Sequence, residues 1–225
     1  MEKALSLDAE FRCYPDAVDY IVDIRSRNQR IKYLDNKFLL GINSPELDNL
    51  IKTKQYPYQK EGILFAAKAG RSLIADDMGL GKTIQAIATT EILAKEFNAE
   101  KVLIICPTSL KYQWKTEIEK FTDRSVRVIE GMANKRAEQY QLNDFYKITS
   151  YNSIRNDFKG KNHFVPDIVI LDEAQRIKNW KTKTAQSVKI LSSEFAIVLT
   201  GTPLENRLDE LHSIVKFIDI FKLGA

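Results

Sequence analysis

The stretch "RSLIADDMGLGKTIQAIATTEILAKEF", residues Arg71–Phe97, decides the fold. Its first part, "SLIAD", reads as a buried strand, "DDMGLGKT" as a turn, and "TIQAIATTEILAKEF" as a helix with Ile84, Ile87, Ala88, Ile92 and Phe97 roughly along one face. Strand, glycine turn and helix in that order make a phosphate-binding loop. The turn aims successive backbone N–H groups at phosphate oxygens, and the helix N-terminus adds positive potential. Gly79 and Gly81 can supply the turn, with Met78 and Leu80 completing the loop backbone. Lys82 would reach the β- and γ-phosphates, and Thr83 would place its hydroxyl on Mg²⁺. A bare "GKT" is common and carries little weight alone; its place between a strand and a strong helix carries more. The general pattern has glycine where this chain has Asp76. Aspartate enters left-handed backbone more readily than most residues, and Asp76 is expected to do so here. Carboxylates facing a polyanion in a cleft would repel it strongly. Asp76 and Asp77 are therefore expected to point away from the phosphates or to accept backbone N–H bonds.

Outward from this loop the pattern repeats. "KVLIICP", "SVRVIE", "FYKITS", "DIVILDE" and "FAIVLTG" are further β-rich runs, most of them continuously apolar, as parallel strands buried on both faces are. Helical segments lie between them; "SLKYQWKTEIEKF" sets Leu110, Trp114, Ile118 and Phe121 along one face, which makes Trp114 read as core, with stacking on a base as its other reading. The fold class is α/β: a doubly wound, mainly parallel sheet of the P-loop NTPase type, with a small N-terminal accessory segment. In such sheets ligands gather beyond the carboxyl ends of the strands. "DDMGLGKT", "PTS", "DEAQ" and "TGTP" all follow a strand at that end.

Residues 1–55 differ in character. "YIVDIRSRNQRIKYL" alternates like a hairpin around Ser26 to Gln29, with a helix as the other reading, and "SPELDNLIKTK" starts like a helix with Ser44 as N-cap and Pro45 at the first helical position. The division is an accessory segment over 1–55 and an α/β lobe over 56–225. After a helical stretch from Leu204 to Phe217 the sequence closes in "FKLGA", without a second α/β set behind it.

Composition sets the remaining limits. The 225 residues are 44% hydrophobic and 28% charged, enough for one large core. No apolar run approaches the roughly 18 residues of a bilayer span, and the start of the chain has acids where a signal peptide needs an apolar stretch. A cytoplasmic, nucleoid-associated or nuclear setting is expected. Cys13 and Cys106 suggest neither a disulfide framework nor a zinc site, and Cys106, inside "KVLIICP", reads as core. A net charge of +4 permits a polyanionic partner without requiring one.

A nucleoside triphosphatase also needs a carboxylate ending another buried strand to hold Mg²⁺, often with a neighbour that polarises the attacking water. "DIVILDEAQ" offers Asp172 for the metal and Glu173 as general base. Acids also favour the first turn of a helix as ordinary solvated residues, but a pair ending an "IVIL" strand beside a phosphate loop is harder to dismiss.

Taken together, "YPYQKEGI", "LIADDMGLGKTIQAIA", "LIICPTSLKYQWKTEIEKF", "ITSYNSIRND", "VILDEAQRIKN" and "VLTGTPLENRLDELHSIVKFI" resemble the first RecA-like lobe of a superfamily-two helicase, and within it the Swi/Snf-like DNA translocases and remodellers. The resemblance runs from about Tyr56 to Phe221. It makes Asp76 part of the family's own loop, and it implies ATP and Mg²⁺ as ligands. It implies that Gln59 reads the adenine edge, a task for an amide with donor and acceptor. Gln175, in a DEAQ box, and Thr200 and Thr202, in "TGTP", would couple the phosphate state to movement. Thr108, Ser109 and Lys111 would hold a DNA strand by its backbone, with Ser150, Tyr151 and Arg155 as a further strand-contacting element. Arg176, Lys178, Lys181 and Lys183 would add a basic strip. The implied partners are duplex DNA, a second RecA-like lobe and DNA-bound proteins, with no membrane. Two other readings stay open on the residues: a P-loop ATPase or kinase indifferent to DNA, and a nucleotide-binding scaffold without turnover.

Overall fold

Continuously apolar runs of four or five residues can satisfy their backbone only in a sheet covered on both faces, and that is where they lie. A computed structural model describes residues 14–158, 164–177, 182–201 and 214–218. Among these, strands β1 (Arg71–Ile74), β2 (Val102–Cys106), β3 (Val126–Val128), β4 (Tyr146–Ser150), β5 (Ile168–Leu171) and β6 (Phe195–Leu199) form one sheet in the order β1-β6-β5-β2-β4-β3. Every pairing is parallel. Parallel neighbours need crossovers, and helices supply them: α4 (Lys82–Phe97), α5 (Lys111–Phe121), α6 (Ala133–Gln141), α7 (Tyr151–Asp157) and α8 (Lys183–Lys189), while α3 (Pro57–Ala69) leads into β1.

Because side chains alternate across a strand, the sheet builds two cores. Ile104, Cys106, Ile170 and Ile197 face a core that includes Ile63, Ile87, Trp114 and Ile118 from α3, α4 and α5. Leu103, Ile105, Val169 and Val198 face a second one that holds Tyr140, Ile154 and Val188. The helical periodicity of α5 is as expected, with Trp114, Ile118 and Phe121 buried. Of the expected apolar face of α4, Ile87, Ala88 and Ile92 are buried and Ile84 and Phe97 partly so, and the polar Gln85, Thr89 and Thr90 are buried as well. Cys106 is core, its thiol directed at the Thr149 carbonyl at 3.8 Å. Burial, and then the charge of Asp172, push that thiol up to about 12. Of the helical stretch expected from Leu204 to Phe217, residues 214–218 are described and are helical. No helix among the described residues is long and apolar enough to cross a membrane.

The hairpin reading of the N-terminal segment is corrected. Pro15–Lys37 is one helix, α1. A tight hairpin needs turn residues at positive φ, and Ser26-Arg-Asn-Gln29 offers no glycine; the buried positions Leu34 and Phe38 instead fall one helical turn apart and enter the main core. Ser44 does precede the short helix α2 (Pro45–Asp48), but its side chain makes no cap bond, and its hydroxyl is buried without a partner.

Arg30 ties α1 to the lobe. Its Nε donates to the Lys68 carbonyl at 3.1 Å and its Nη2 to the Ala69 carbonyl at 2.9 Å, satisfying acceptors that the end of α3 leaves over. The guanidinium also lies 5.5 Å from the Phe195 ring centre. A Cβ at Gly70, whose φ is +72°, would meet that guanidinium at 2.5 Å, so glycine is needed there for conformation and for space. Arg30→Ala is expected to cost roughly 2 kcal/mol, the scale of charge-assisted bonds to half-buried acceptors. Thermal melting would read this as a fall of about 4–8 °C.

Candidate functional site

The site begins with the turn after β1. Gly79 has φ +83° and Gly81 φ +74°, conformations that glycine adopts without strain. Gly81 caps α4, whose first-turn N–H groups have no acceptor inside the helix. It is also needed for space, because a Cβ there would meet Gln59 Nε2 at 2.4 Å. Gln59 is 3% exposed, and both ends of its amide are engaged: Oε1 accepts from Tyr56 N at 3.0 Å, and Nε2 donates to the Leu80 carbonyl at 3.1 Å. Tyr58 donates its hydroxyl to the same carbonyl at 3.1 Å. The residue expected to read adenine therefore braces the phosphate loop. Met78 and Leu80 stand exposed on that loop, and Thr83, second residue of α4, is half-buried.

Asp76 does not take left-handed backbone. Among the described residues only Asn98 and Glu173 do so without being glycine, so this position tolerates a side chain because it needs no positive φ. Its carboxylate accepts from Gln85 Nε2 at 2.6 Å, a side-chain amide rather than a backbone group. Gln85 is fully buried on α4, with its Oε1 packed where a Cβ at Gly62 would lie 2.0 Å away. One carboxylate is thus tied down to the helix behind the loop, while Asp77 is exposed. The carbonyls of both residues accept from Lys82 Nζ, at 2.8 and 2.9 Å.

The β5 end brings the second half. Asp172 Oδ1 accepts from Glu173 N at 2.9 Å, and Oδ2 from the Trp114 indole at 2.8 Å. Its carbonyl accepts from the Tyr151 hydroxyl at 2.8 Å. Burial holds the Asp172 carboxyl above the ordinary carboxylate range, and the Glu173 charge pushes the same way; the indole, the Glu173 N–H and the Lys82 ammonium pull it back. The next residue, Glu173, has φ +52°, a conformation that costs a non-glycine residue roughly 1–2 kcal/mol. Its carboxylate accepts a short hydrogen bond from Gln175 Nε2, and Gln175 Oε1 accepts from Thr200 Oγ1 at 3.4 Å. Beyond Thr200, a Cβ at Gly201 would come within 3.7 Å of Lys82 Nζ. The loops after β1, β5 and β6 thus meet at one place.

A carboxylate has about four lone-pair sites, and Asp172 uses one per oxygen. It keeps capacity for a hard cation, whose charge would relieve the cost of burying it. No group of three or more His, Cys, Asp or Glu that could hold a metal occurs among the described residues.

The residues expected on DNA divide. Thr108 and Ser109 are exposed on the turn after β2, and Arg155 and Lys183 are exposed on α7 and α8. Lys111, Ser150 and Tyr151 face inward. Lys111 is 8% exposed and donates to the Ile129 carbonyl at 3.3 Å. Ser150 caps α7 by accepting from Ser153 N at 3.2 Å, and Tyr151 is committed to Asp172. The side chain of Arg176, and Lys178, Lys181 and Thr202, lie outside the described residues. Sequence reasoning missed Gln85 and the bond from Trp114 to Asp172. The signals were an amide inside the apolar run "TIQAIA" and an indole N–H that burial obliges to find an acceptor.

Residues 58–225 match the family model described as SNF2-related domain. The putative ATP-dependent helicase/translocase YwqA of Bacillus subtilis is 36% identical over 210 residues, which cover 88% of this chain and 23% of that protein. The CHD3-type chromatin-remodeling factor PICKLE of Arabidopsis thaliana is 31% identical over 97% of this chain and 18% of its own length. The chain thus spans less than a quarter of either relative. Among solved structures, the Sulfolobus solfataricus SWI2/SNF2 ATPase core in complex with dsDNA is 35% identical and superposes with a TM-score of 0.71, over 78% of this chain and 38% of that one. With its sheet, its phosphate loop and its sequence all in agreement, the chain belongs to the SNF2-related domain family.

Proposed function

We propose that this chain is the ATP-binding lobe of a DNA-dependent ATPase, which in the full-length protein couples Mg-ATP hydrolysis to movement along duplex DNA. The observation that carries the reading is the meeting of Lys82, Asp172–Glu173 and Gly201 at one edge of the sheet. Exposed Thr108 and Ser109 stand at the end of the neighbouring strand β2. The solved relative with dsDNA supports the choice of nucleic acid.

In this reading the first turn of α4 and Lys82 bind the phosphates. Thr83 and Asp172 would hold Mg²⁺, which when bound would neutralise phosphate charge. Glu173 orients and deprotonates the attacking water. Gln175 links that base to Thr200, so movement of the loop after β6 reaches Glu173. Thr108, Ser109 and Arg155 contact backbone rather than bases, which makes binding indifferent to sequence. In related phosphoryl transfer an arginine finger is worth about 10³–10⁵ in rate, and in this reading a second lobe supplies it. The 225-residue chain alone is therefore expected to bind ATP and to turn it over slowly.

Fluorescence anisotropy with two duplexes of unrelated sequence tests the DNA half. Expected are equal affinities for both and a steep loss with salt, since each neutralised phosphate contributes about −0.9 to the log–log slope. ATP binding that is tight while duplex binding is absent at low salt would favour a DNA-independent ATPase or kinase.

A further inference from the structure

We propose that Trp114 and Tyr151 are positioning residues that make the strand-contacting turns and the cation-holding carboxylate one mechanical unit. The inference rests on the DNA reading above and concerns how the same site is regulated.

Two segments assigned to the DNA side each send an aromatic residue inward, and both end on Asp172. The turn Thr108–Leu110 runs straight into α5, so Trp114 moves with it. Trp114 is 2% exposed, and its only polar atom goes to Asp172 Oδ2. Tyr151 opens α7, the helix that displays Arg155, and its hydroxyl goes to the Asp172 carbonyl. A buried indole or phenol needs some acceptor, and that need alone would be met by any carbonyl. Here donors from two separate segments converge on one residue, and with Glu173 N they fix both of its carboxylate oxygens and its carbonyl. Asp172 directly follows β5, a strand paired on both sides, whereas the turn Thr108–Leu110 and α7 lie outside the sheet. A displacement of α5 by about half an ångström takes a 2.8 Å bond to the limit of useful geometry. Contact with a DNA backbone at Thr108 and Ser109 therefore changes how firmly Oδ2 is aimed.

The test uses the 225-residue chain with Trp114→Phe and Tyr151→Phe, which keep the rings and each delete one donor. Binding of a fluorescent ATP analogue is titrated against MgCl₂, with and without duplex DNA, and duplex affinity is measured separately. Expected for Trp114→Phe are a Mg²⁺ midpoint raised about tenfold, the lower end of the usual effect for groups that orient a metal ligand, and loss of the shift that DNA causes in the parent. Analogue binding without Mg²⁺ and duplex affinity stay within about twofold of the parent, a split that general loosening of the fold would not produce. Tyr151→Phe, the gentler change, gives the same pattern at smaller amplitude, and decides the matter if Trp114→Phe does not fold. A parent that binds DNA but whose midpoint ignores it, or variants that keep both midpoint and shift, overturn the inference and leave the proposed function standing. A parent that does not bind duplex DNA takes down the proposed function itself.

Discussion

Lys82→Ala is expected to lower the affinity of the chain for ATP by at least about a hundredfold, roughly 2.7 kcal/mol, with the melting temperature nearly unchanged. The ammonium lies where the loops after β1, β5 and β6 meet. Its present partners are the carbonyls of Asp76 and Asp77, on a loop where water can replace it. Removing it therefore costs little in the fold. A bound triphosphate would instead draw the ammonium to the β- and γ-oxygens, and charge-assisted bonds of that kind are worth about 1.5–3 kcal/mol each. Calorimetric titration of ATP into both proteins measures the difference. Equal affinities would mean that the loop is not a phosphate site.

Glu173→Gly carries the second large effect, with opposite signs in two assays. Single-turnover hydrolysis, with protein in excess over ATP, is expected to fall by about 10²–10⁴, the usual contribution of a positioned general base. Stability is expected to rise by roughly 0.5–1 kcal/mol, because glycine occupies φ +52° without the clash that glutamate bears. Removing a like charge beside the buried Asp172 acts in the same direction. Glu173→Gln is the companion: it loses the base but keeps the backbone strain, so its hydrolysis falls equally while its melting point gains less. Strain held in a single residue where the chemistry is placed is a recurrent feature of functional sites. A glycine variant that is both inactive and less stable would remove that explanation for the conformation.

The sheet and its loops were legible because their signals are local. A strand buried on both faces is an apolar run, and a phosphate turn is a glycine pair beside a lysine; both can be read without knowing what packs on them. The helix at Pro15–Lys37 was ambiguous because its exposed face also carries apolar residues, such as Ile21, Val22 and Ile24, which blur a period of 3.6 towards alternation. What selects helix is burial of Leu34 and Phe38 against a core formed far along the chain. That Lys111, Ser150 and Tyr151 face inward was hidden for a related reason. Their motifs lie at the strand ends, but a motif does not say which of its side chains turn inward. Gln85 and Trp114 needed partners nine and 58 positions away, and such pairing is invisible to periodicity.

The register of the sheet has one more consequence, for which changes of length the molecule can absorb. Ile105 lies level with Leu171 and Thr149, Cys106 with Ser150, and Leu199 with Ile74. Every loop of the site thus departs from nearly the same height. Deleting one residue inside β2 or β5 would draw its loop back by about 3.3 Å and send each following side chain to the opposite face of the sheet. Extra residues at the far ends of the same strands would leave that height untouched. Insertions and deletions should therefore be tolerated on the amino-terminal edge of the sheet and forbidden within its central strands, which serve as the ruler against which the site is assembled.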